Sequence, residues 1–269
     1  MRTIFTVLPG TGRKFSDRSM MTNCRLYICK VPIDNIPDEP TAFAIIESCL
    51  KKSRPVRIAF VNAHAINTAA KNREYLNVLR KTDINFADGL GVWIASALIY
   101  GKGLTNLNGT DFGLSLLKWA AGKKYSVFFL GAEMGIAEKA KNLLGYQIAS
   151  LNVAGCFHGY FDKRKCEKII KDINDSGADI LFVCLGVPDQ ELWIDQNLEH
   201  LNVKIAMGLG AFFDFHSGKI KRAPVWMRKI RMEWLFRLLS EPVRLYKRYL
   251  VGNPLFIFRV LKYKFSPHR

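Results

Sequence analysis

The sequence predicts an α/β fold: a Rossmann-like, mostly parallel sheet with helices on both faces, followed by a basic amphipathic helical C-terminal appendage. One observation is a set of six short apolar runs, which begin at Arg57, Ile84, Ser126, Gln147, Ile180 and Lys204. Such near-continuous apolar runs are typical of strands that are covered on both faces. The second observation is that helical patterns separate most of these runs, and this alternation favours a parallel sheet.

The helical patterns and the punctuation of the chain define its organisation. Helices are expected at residues 65–81, 90–100, 111–123, 135–144, 163–176 and 189–198. An Arg-Ala-Pro turn at Arg222 opens a separate, helical stretch of the sequence. We therefore divide the chain into an N-terminal extension (1–24), an α/β domain (25–221) and a C-terminal tail (222–269).

Composition limits the compartment and the relation to a membrane. The chain has 269 residues, 49% of them hydrophobic, which is enough to form a sizeable core. Its six cysteines include no CxxC pair, so we expect reduced thiols in a cytoplasmic protein. The first residues lack the apolar core of a signal peptide, and no apolar stretch approaches the roughly 18 residues of a spanning helix.

The positive charge is concentrated at the C-terminus. Residues 219–269 contain fourteen Lys or Arg and two acids, so they carry most of the net charge of +17. This asymmetry indicates a polyanionic partner, which could be nucleic acid, an acidic membrane or the phosphates of a substrate. A solvated basic surface is the alternative.

Candidate ligand-binding residues follow the apolar runs, because ligands of an open α/β sheet bind beyond the carboxyl ends of its strands. These residues are polar or glycine and comprise Asn62, His64, Asp88, Gly131, Gly186, Gln190 and Asp214. Asp88 can be a base that takes a proton from an attacking hydroxyl, or a helix N-cap. The same alternatives hold for Asp111, where the cap or turn is favoured. His64 alone is more typical of a partly buried structural histidine, and Gln190 suits helix capping as well as ligand binding.

The loop from Gly131 to Gly135 leads from a predicted strand into a helix. Its backbone N–H groups and the helix dipole could bind a phosphate, although a tight turn that needs glycine is the alternative. The loop is neither GxGxxG nor GxxxxGK[ST], which argues against a nicotinamide dehydrogenase and a P-loop ATPase.

An ordered set of motifs resembles the WecG/TagA/CpsF family of bacterial glycosyltransferases. The resemblance covers about residues 56–250 and rests on VNAHAIN, ADGLGV, NGTDF, FFLGAEMG, HGYF, LGVPDQE, GLGAFFDFHSGKIKRAP and EWLFRLLSEPVR. It implies transfer of a sugar from a nucleotide-sugar donor, commonly a UDP-sugar, to a glycan on a polyprenyl diphosphate. Such a reaction belongs to cell-surface or exopolysaccharide biosynthesis, at the cytoplasmic face of the plasma membrane.

The resemblance also implies roles for individual residues. Asp88 becomes the catalytic base, with Asn62 beside it, and His64 and Asp111 lie elsewhere in the pocket. The nucleotide would be held by Tyr160, Gln190 and Asp214, with Gly131 and Gly186 in the surrounding loops. Arg237 and Arg244 match tail arginines that fold over the site towards the diphosphate. Asn106 departs from the pattern, because relatives often carry an arginine there that is thought to stabilise the leaving group.

The expected chemistry follows from a nucleotide-sugar donor. The departing diphosphate needs positive charge, and the absence of a DxD-like triplet favours arginines over a metal ion. We therefore expect no cofactor, no metal, and an inverting displacement assisted by a single base. The oligomeric state is left open, and a homo-oligomer is one alternative.

The tail has its own pattern. Trp226, Ile230, Trp234 and Leu238 recur at spacings of four among basic residues, as in an amphipathic helix at an anionic membrane surface. Packing of this stripe against the core or a partner is the alternative. The segment after Gly252, with Phe256, Phe258, Tyr263 and Phe265, favours the membrane more strongly. A basic nucleic-acid-binding α/β protein is the competing class, although acids at the strand ends would repel phosphates; with the glycosyltransferase we expect no nucleic-acid partner.

Overall fold

The computed structural model describes residues 25–51 and 54–266. Six parallel strands form one sheet in the order β4-β3-β8-β7-β5-β6. These strands are β3 (Val56–Val61), β4 (Ile84–Ala87), β5 (Ser126–Gly131), β6 (Asn152–Phe157), β7 (Ile180–Cys184) and β8 (Ile205–Gly208). The N-terminal extension, residues 1–24, lies outside the described part of the chain. The predicted α/β class with a parallel sheet is confirmed.

Helices cover both faces of the sheet. Up to the end of the α/β domain they are α1 (Glu39–Leu50), α2 (Ala63–Ala69), α3 (Arg73–Lys81), α4 (Gly89–Tyr100), α5 (Gly109–Gly122), α6 (Ile136–Gln147), α7 (Glu167–Asp175), α8 (Asp189–Asn197) and α9 (Phe212–His216). All residues of β5 and β7 are buried, as their unbroken apolar sequences predict. Aromatic side chains such as Phe129 and Phe182 stack in the core on one face.

Two predicted elements are wrong in their boundaries. The apolar run that begins at Gln147 is not a strand: α6 ends at that residue, a turn follows, and β6 begins only at Asn152. The helix predicted over residues 65–81 is two helices. Asn72 separates them and caps α3, because its side chain accepts a hydrogen bond from the backbone N–H of Tyr75 at 3.0 Å.

An antiparallel hairpin, β1 (Arg25–Ile28) and β2 (Val31–Asp34), precedes the sheet and was not predicted. Its Asp34 pairs with Arg25 at 2.9 Å and accepts a hydrogen bond from the backbone N–H of Asn85 in the edge strand β4 at 2.7 Å. The hairpin therefore adjoins the edge of the main sheet and protects it from pairing with other chains.

The C-terminal tail is helical but broken. It consists of α10 (Val225–Lys229), α11 (Glu233–Ser240), α12 (Pro242–Tyr246), a π-helical turn (Lys247–Val251) and α13 (Gly252–Lys264). The predicted stripe is interrupted at Arg231, which has a left-handed φ of 61°. Trp226 and Ile230 remain exposed, whereas Trp234 and Leu238 pack with Leu245 and Tyr249 in a small cluster. Among the described residues, no helix has the length and apolar character needed to cross a bilayer.

The last helix belongs to the core rather than to a detachable anchor. α13 packs against α2 and α4, and Phe256 and Val260 are completely buried there. Asn67 of α2 donates a hydrogen bond to the backbone carbonyl of Gly252 at 2.7 Å. The expectation that Phe256 lies at a membrane is therefore wrong, because its ring fills the space beside Gly91 and Ala63. Phe258 and Phe265 of the same segment are exposed.

The role of α13 in the core can be measured. We expect Phe256→Ala to lower the free energy of unfolding by about 3–5 kcal/mol, since it leaves a cavity in a packed core. Phe258→Ala is the matched control: its ring is 64% exposed, so we expect a change within about 0.5 kcal/mol. Urea unfolding of both variants tests this, and equal stabilities would show that α13 does not contribute to the core.

Candidate functional site

The carboxyl ends of the strands open into one large cleft of about 2050 Å³. Loops that follow β3, β4, β5, β6, β7 and β8 line its floor, as expected for an open parallel sheet. The tail, from Arg228 to Ile257, forms the opposite wall. The cleft therefore lies between the sheet edge and the C-terminal segment.

Asp88 lies deep in the cleft at the end of β4, and its side chain does not cap α4. The backbone N–H of Gly89 donates instead to Asn106 Oδ1 at 2.6 Å. Asp88 thus occupies the N-cap position of α4 without a capping hydrogen bond from its side chain, and its carboxylate lines the cleft. Asn106, the departure from the family pattern, holds the loop that carries this carboxylate.

Asn62 orients Asp88 from the neighbouring strand. Its Oδ1 accepts a hydrogen bond from the backbone N–H of Ala65 and caps α2, which leaves its Nδ2 to donate to Asp88 Oδ2 at 3.1 Å. Burial raises the pKa of Asp88, while this hydrogen bond and the charges of Arg248 and Arg237 oppose the rise. The arrangement is a partly desolvated carboxylate with a fixed orientation, suited to accept a proton.

His64 and Asp111 differ in character. Burial, with the nearby charge of Arg248, lowers the pKa of His64 to about 4, so its ring is neutral at pH 7 and lines the cleft. Burial opposes ionisation of Asp111, but hydrogen bonds from Arg222 and Asn108 prevail and lower its pKa. Asp111 is thus an ion-pair partner that ties Arg222, and through it Glu233 of the tail, to the domain.

The residues predicted to hold a nucleotide lie on the other side of the cleft. Gly186, Gln190 and Asp214 line it, and Tyr160 stands at its rim with 73% of its surface exposed. Gly131 has a structural role: a Cβ atom there would lie 2.4 Å from the carbonyl oxygen of Cys184. Ala132 and Glu133, which follow it, line the cleft.

Five arginines of the tail line the cleft, and they include Arg237, Arg244 and Arg248. The buried Nε atoms of Arg237 and Arg248 have no hydrogen-bond partner within the described residues. Burial lowers the pKa of Arg248, and the charges of Arg237 and Arg244 add to this effect. Arg244 pairs with Glu241 at 2.6 Å. Arg237 and Arg248 form no ion pair within the described part of the chain, so their positive charge can attract an anion. Sequence reasoning missed Arg248, although it lies in the same basic helical stretch as Arg244.

The described residues were also compared with the requirements of a metal site. Within residues 25–51 and 54–266, no group of three or more His, Cys, Asp or Glu side chains is arranged to hold a metal ion.

Glu191, beside Gln190, is buried and was not proposed as a site residue. Burial raises its pKa to about 7, against the effect of hydrogen bonds from Gln190 and Tyr75, and the charge of Asp189 adds to the rise.

The titration of Glu191 leads to a prediction about stability. An unfolded glutamate loses its proton near pH 4.5, whereas folded Glu191 keeps it to about pH 7. Folded Glu191 therefore holds more proton than the unfolded residue in this range, so its contribution to the free energy of unfolding falls as the pH rises from 4.5 to 7.

We expect Glu191→Gln to remove this component, on the order of 2 kcal/mol between pH 5 and 8. Urea unfolding of wild type and variant across that range measures the difference. Parallel pH profiles for the two proteins would show that Glu191 does not titrate near neutrality.

A parallel-sheet cleft with one oriented carboxylate and several arginines is typical of an enzyme that acts on an anionic substrate. The sequence signature described as the glycosyl transferase WecG/TagA/CpsF family matches residues 26–269. The chain belongs to this family and is a glycosyltransferase.

Three relatives share the printed name N-acetylglucosaminyldiphosphoundecaprenol N-acetyl-beta-D-mannosaminyltransferase. The protein from Bacillus subtilis (strain 168) is 34% identical over 76% of this chain and 78% of its own length. The protein from Bacillus spizizenii (strain ATCC 23059 / NRRL B-14472 / W23) is 32% identical over 86% of this chain and 90% of its own length. The protein from Staphylococcus aureus (strain MRSA252) is 30% identical over 77% of this chain and 80% of its own length.

Proposed function

We propose that the protein transfers a sugar from a nucleotide-sugar donor, most simply a UDP-sugar, to a glycan carried on a polyprenyl diphosphate. The observation that carries the proposal is the pairing of the Asn62-oriented Asp88 with tail arginines across one cleft. The relatives' names supply the acceptor class, since they act on a diphosphoundecaprenol-linked sugar. The expected setting is assembly of a cell-surface or exopolysaccharide glycan.

Asp88 is proposed as the general base. An acceptor hydroxyl attacks the anomeric carbon as its proton passes to Asp88, and the bond from that carbon to the donor diphosphate breaks. One direct displacement inverts the anomeric configuration and requires no covalent intermediate. A base whose pKa is raised by burial accepts the proton more readily than an exposed aspartate.

Arg237 and Arg244, joined by Arg248, are proposed to stabilise the departing nucleoside diphosphate. The Nε–H groups of Arg237 and Arg248 have no acceptor within the described residues, which supports the proposal that these guanidinium groups bind an anion. Because Asn106 is neutral and its Oδ1 accepts from Gly89, the tail is the source of charge that this position lacks. Such fixed positive groups lower the barrier most where negative charge develops, so no metal ion is required.

The donor nucleotide is proposed to lie against the loops after β6, β7 and β8. The exposed ring of Tyr160 can stack on the base, Gly186 allows close approach of the backbone, and Asp214 can accept hydrogen bonds from hydroxyl groups. Gln190 supports these loops. In this proposal the donor and Asp88 occupy the two sides of one cleft.

Transfer and its base can be tested together. We expect the purified protein, given a panel of UDP-, GDP- and TDP-sugars with a short polyprenyl-diphosphate-linked acceptor, to release nucleoside diphosphate in EDTA with at least one donor. Asp88→Asn should lower kcat by about 10² or more and leave folding and donor binding nearly intact. Near-normal turnover of the variant at saturating donor would reject Asp88 as the base; loss of activity in EDTA would reject the arginine assignment.

An anionic membrane surface is proposed as the second partner, at the cytoplasmic face. Of the twelve large hydrophobic side chains that are more than half exposed in the described residues, nine lie between Val225 and Phe265. Lys and Arg surround them, which is the composition of segments that bind acidic lipid interfaces. A membrane site suits an enzyme whose acceptor is anchored in lipid.

Liposome partition tests this surface. We expect Val243→Asp to weaken binding to anionic liposomes at least about tenfold, because an exposed apolar contact is replaced by a charge that the membrane repels. Tyr146→Asp on α6 is the control, since it adds the same charge at a side chain that is 88% exposed and far from the tail in sequence. Equal binding by both variants would contradict the tail as the contact surface, and salt-sensitive RNA binding without liposome binding would favour the nucleic-acid alternative.

A further inference from the structure

Two adjacent polar side chains at the start of α8 are almost completely buried. Gln190 is 3% exposed and Glu191 is 4% exposed. Burying a carboxyl group and an amide is unfavourable unless hydrogen bonds compensate for lost water. Their hydrogen bonds therefore indicate what the pair does.

Gln190 joins two loops of the cleft. Its Oε1 accepts a hydrogen bond from the backbone N–H of Gly186, after β7, at 3.2 Å, and from that of Gly210, after β8, at 2.9 Å. Both glycines have positive φ, so these turns have a conformation that most residues avoid. One amide oxygen thus fixes the relative position of two turns that line the cleft.

Such a link works in only one orientation of the amide. If the Gln190 amide were reversed, its NH₂ group would face the two N–H donors and both bonds would be lost. The observed orientation directs Nε2 away from the loops, where Glu191 Oε1 accepts its hydrogen bond at 2.7 Å. Glu191 thereby supplies the acceptor that selects the working orientation.

The surroundings leave the amide little freedom. A Cβ atom at Gly208 would lie 2.6 Å from Gln190 Nε2, so the amide packs directly on the end of β8. On its other side, Glu191 interacts with the buried Tyr75 of α3, and burial together with this interaction raises the pKa of Tyr75. The chain of contacts runs from α3 through Glu191 and Gln190 to the two loops.

We propose that Glu191 is a positioning residue, which orients the Gln190 amide so that it holds the Gly186 and Gly210 loops in the conformation that binds the donor. The kinetic consequence rests on the proposed function, because the loops are on the proposed donor side. The effect of Glu191 on the order of the two loops does not rest on the proposed function. A variant that lacks the acceptor should loosen both loops and weaken donor binding more than the chemical step.

The test compares three variants. Glu191→Leu removes the acceptor and keeps the volume similar, whereas Glu191→Gln keeps an oxygen that can accept from Gln190 Nε2. Asn197→Leu, at another buried polar residue of α8 that bonds to Trp193 rather than to the loops, is the matched control for destabilisation. Amide hydrogen exchange at Gly186 and Gly210 is measured first, and then the donor KM and kcat.

We expect Glu191→Leu to speed exchange at both glycines at least about fivefold and to raise the donor KM about tenfold with a smaller change in kcat. Glu191→Gln should restore slow exchange and most of the donor affinity, and Asn197→Leu should leave both glycines protected. Unchanged exchange in folded Glu191→Leu, no rescue by Glu191→Gln, or equal loosening by Asn197→Leu would overturn the proposal. If wild type transfers no sugar, the proposed function fails, and the exchange rates still decide the role of Glu191.

Discussion

The packing of Phe256 against Gly91 and Ala63 constrains the rest of the site. This ring is buried between α13 and the first turns of α2 and α4, which follow Asn62 and Asp88 in the chain. Because α13 is held there, the π-helical turn before it must lie over the strand ends. Arg248 belongs to that turn, so one apolar contact brings a buried cation to the carboxylate edge of the sheet.

Ion pairs hold the other end of the tail. Arg222 joins Asp111 of α5 to Glu233 of α11, with distances of 2.9 and 3.1 Å. The segment between these pairs and α13 is anchored at both ends, although much of its apolar surface remains exposed. The tail is therefore one wall of the cleft and also the most apolar part of the surface, which couples any membrane contact to the geometry of the site.

The sequence predicted the sheet because its strands are buried on both faces and read as unbroken apolar runs. It misplaced β6, because the predicted run begins at Gln147, which is the last residue of α6, and most residues of the strand itself are only partly buried. It missed the hairpin β1–β2, whose strands are short. The site was predictable wherever one residue follows a strand, as for Asp88. It was not predictable for Arg248 or Glu191, because their importance depends on burial and on partners far away in sequence. The membrane expectation for Phe256 failed for the same reason: periodicity reveals an apolar face and not what covers it.

Asp88 and Glu191 are both buried carboxyl groups, but different charges surround them. On the side of Asp88, burial raises the pKa of the carboxylate, and the nearby charges of Arg248 and Arg237 oppose this rise. On the donor side, the buried acid Glu191 has no cation among its main interactions, so its pKa rises to about 7. In the proposed mechanism Asp88 must ionise to take a proton, whereas Glu191 only has to present one oxygen to Gln190. The surrounding charges therefore suit one carboxyl group to the proposed catalytic role and the other to the proposed positioning role.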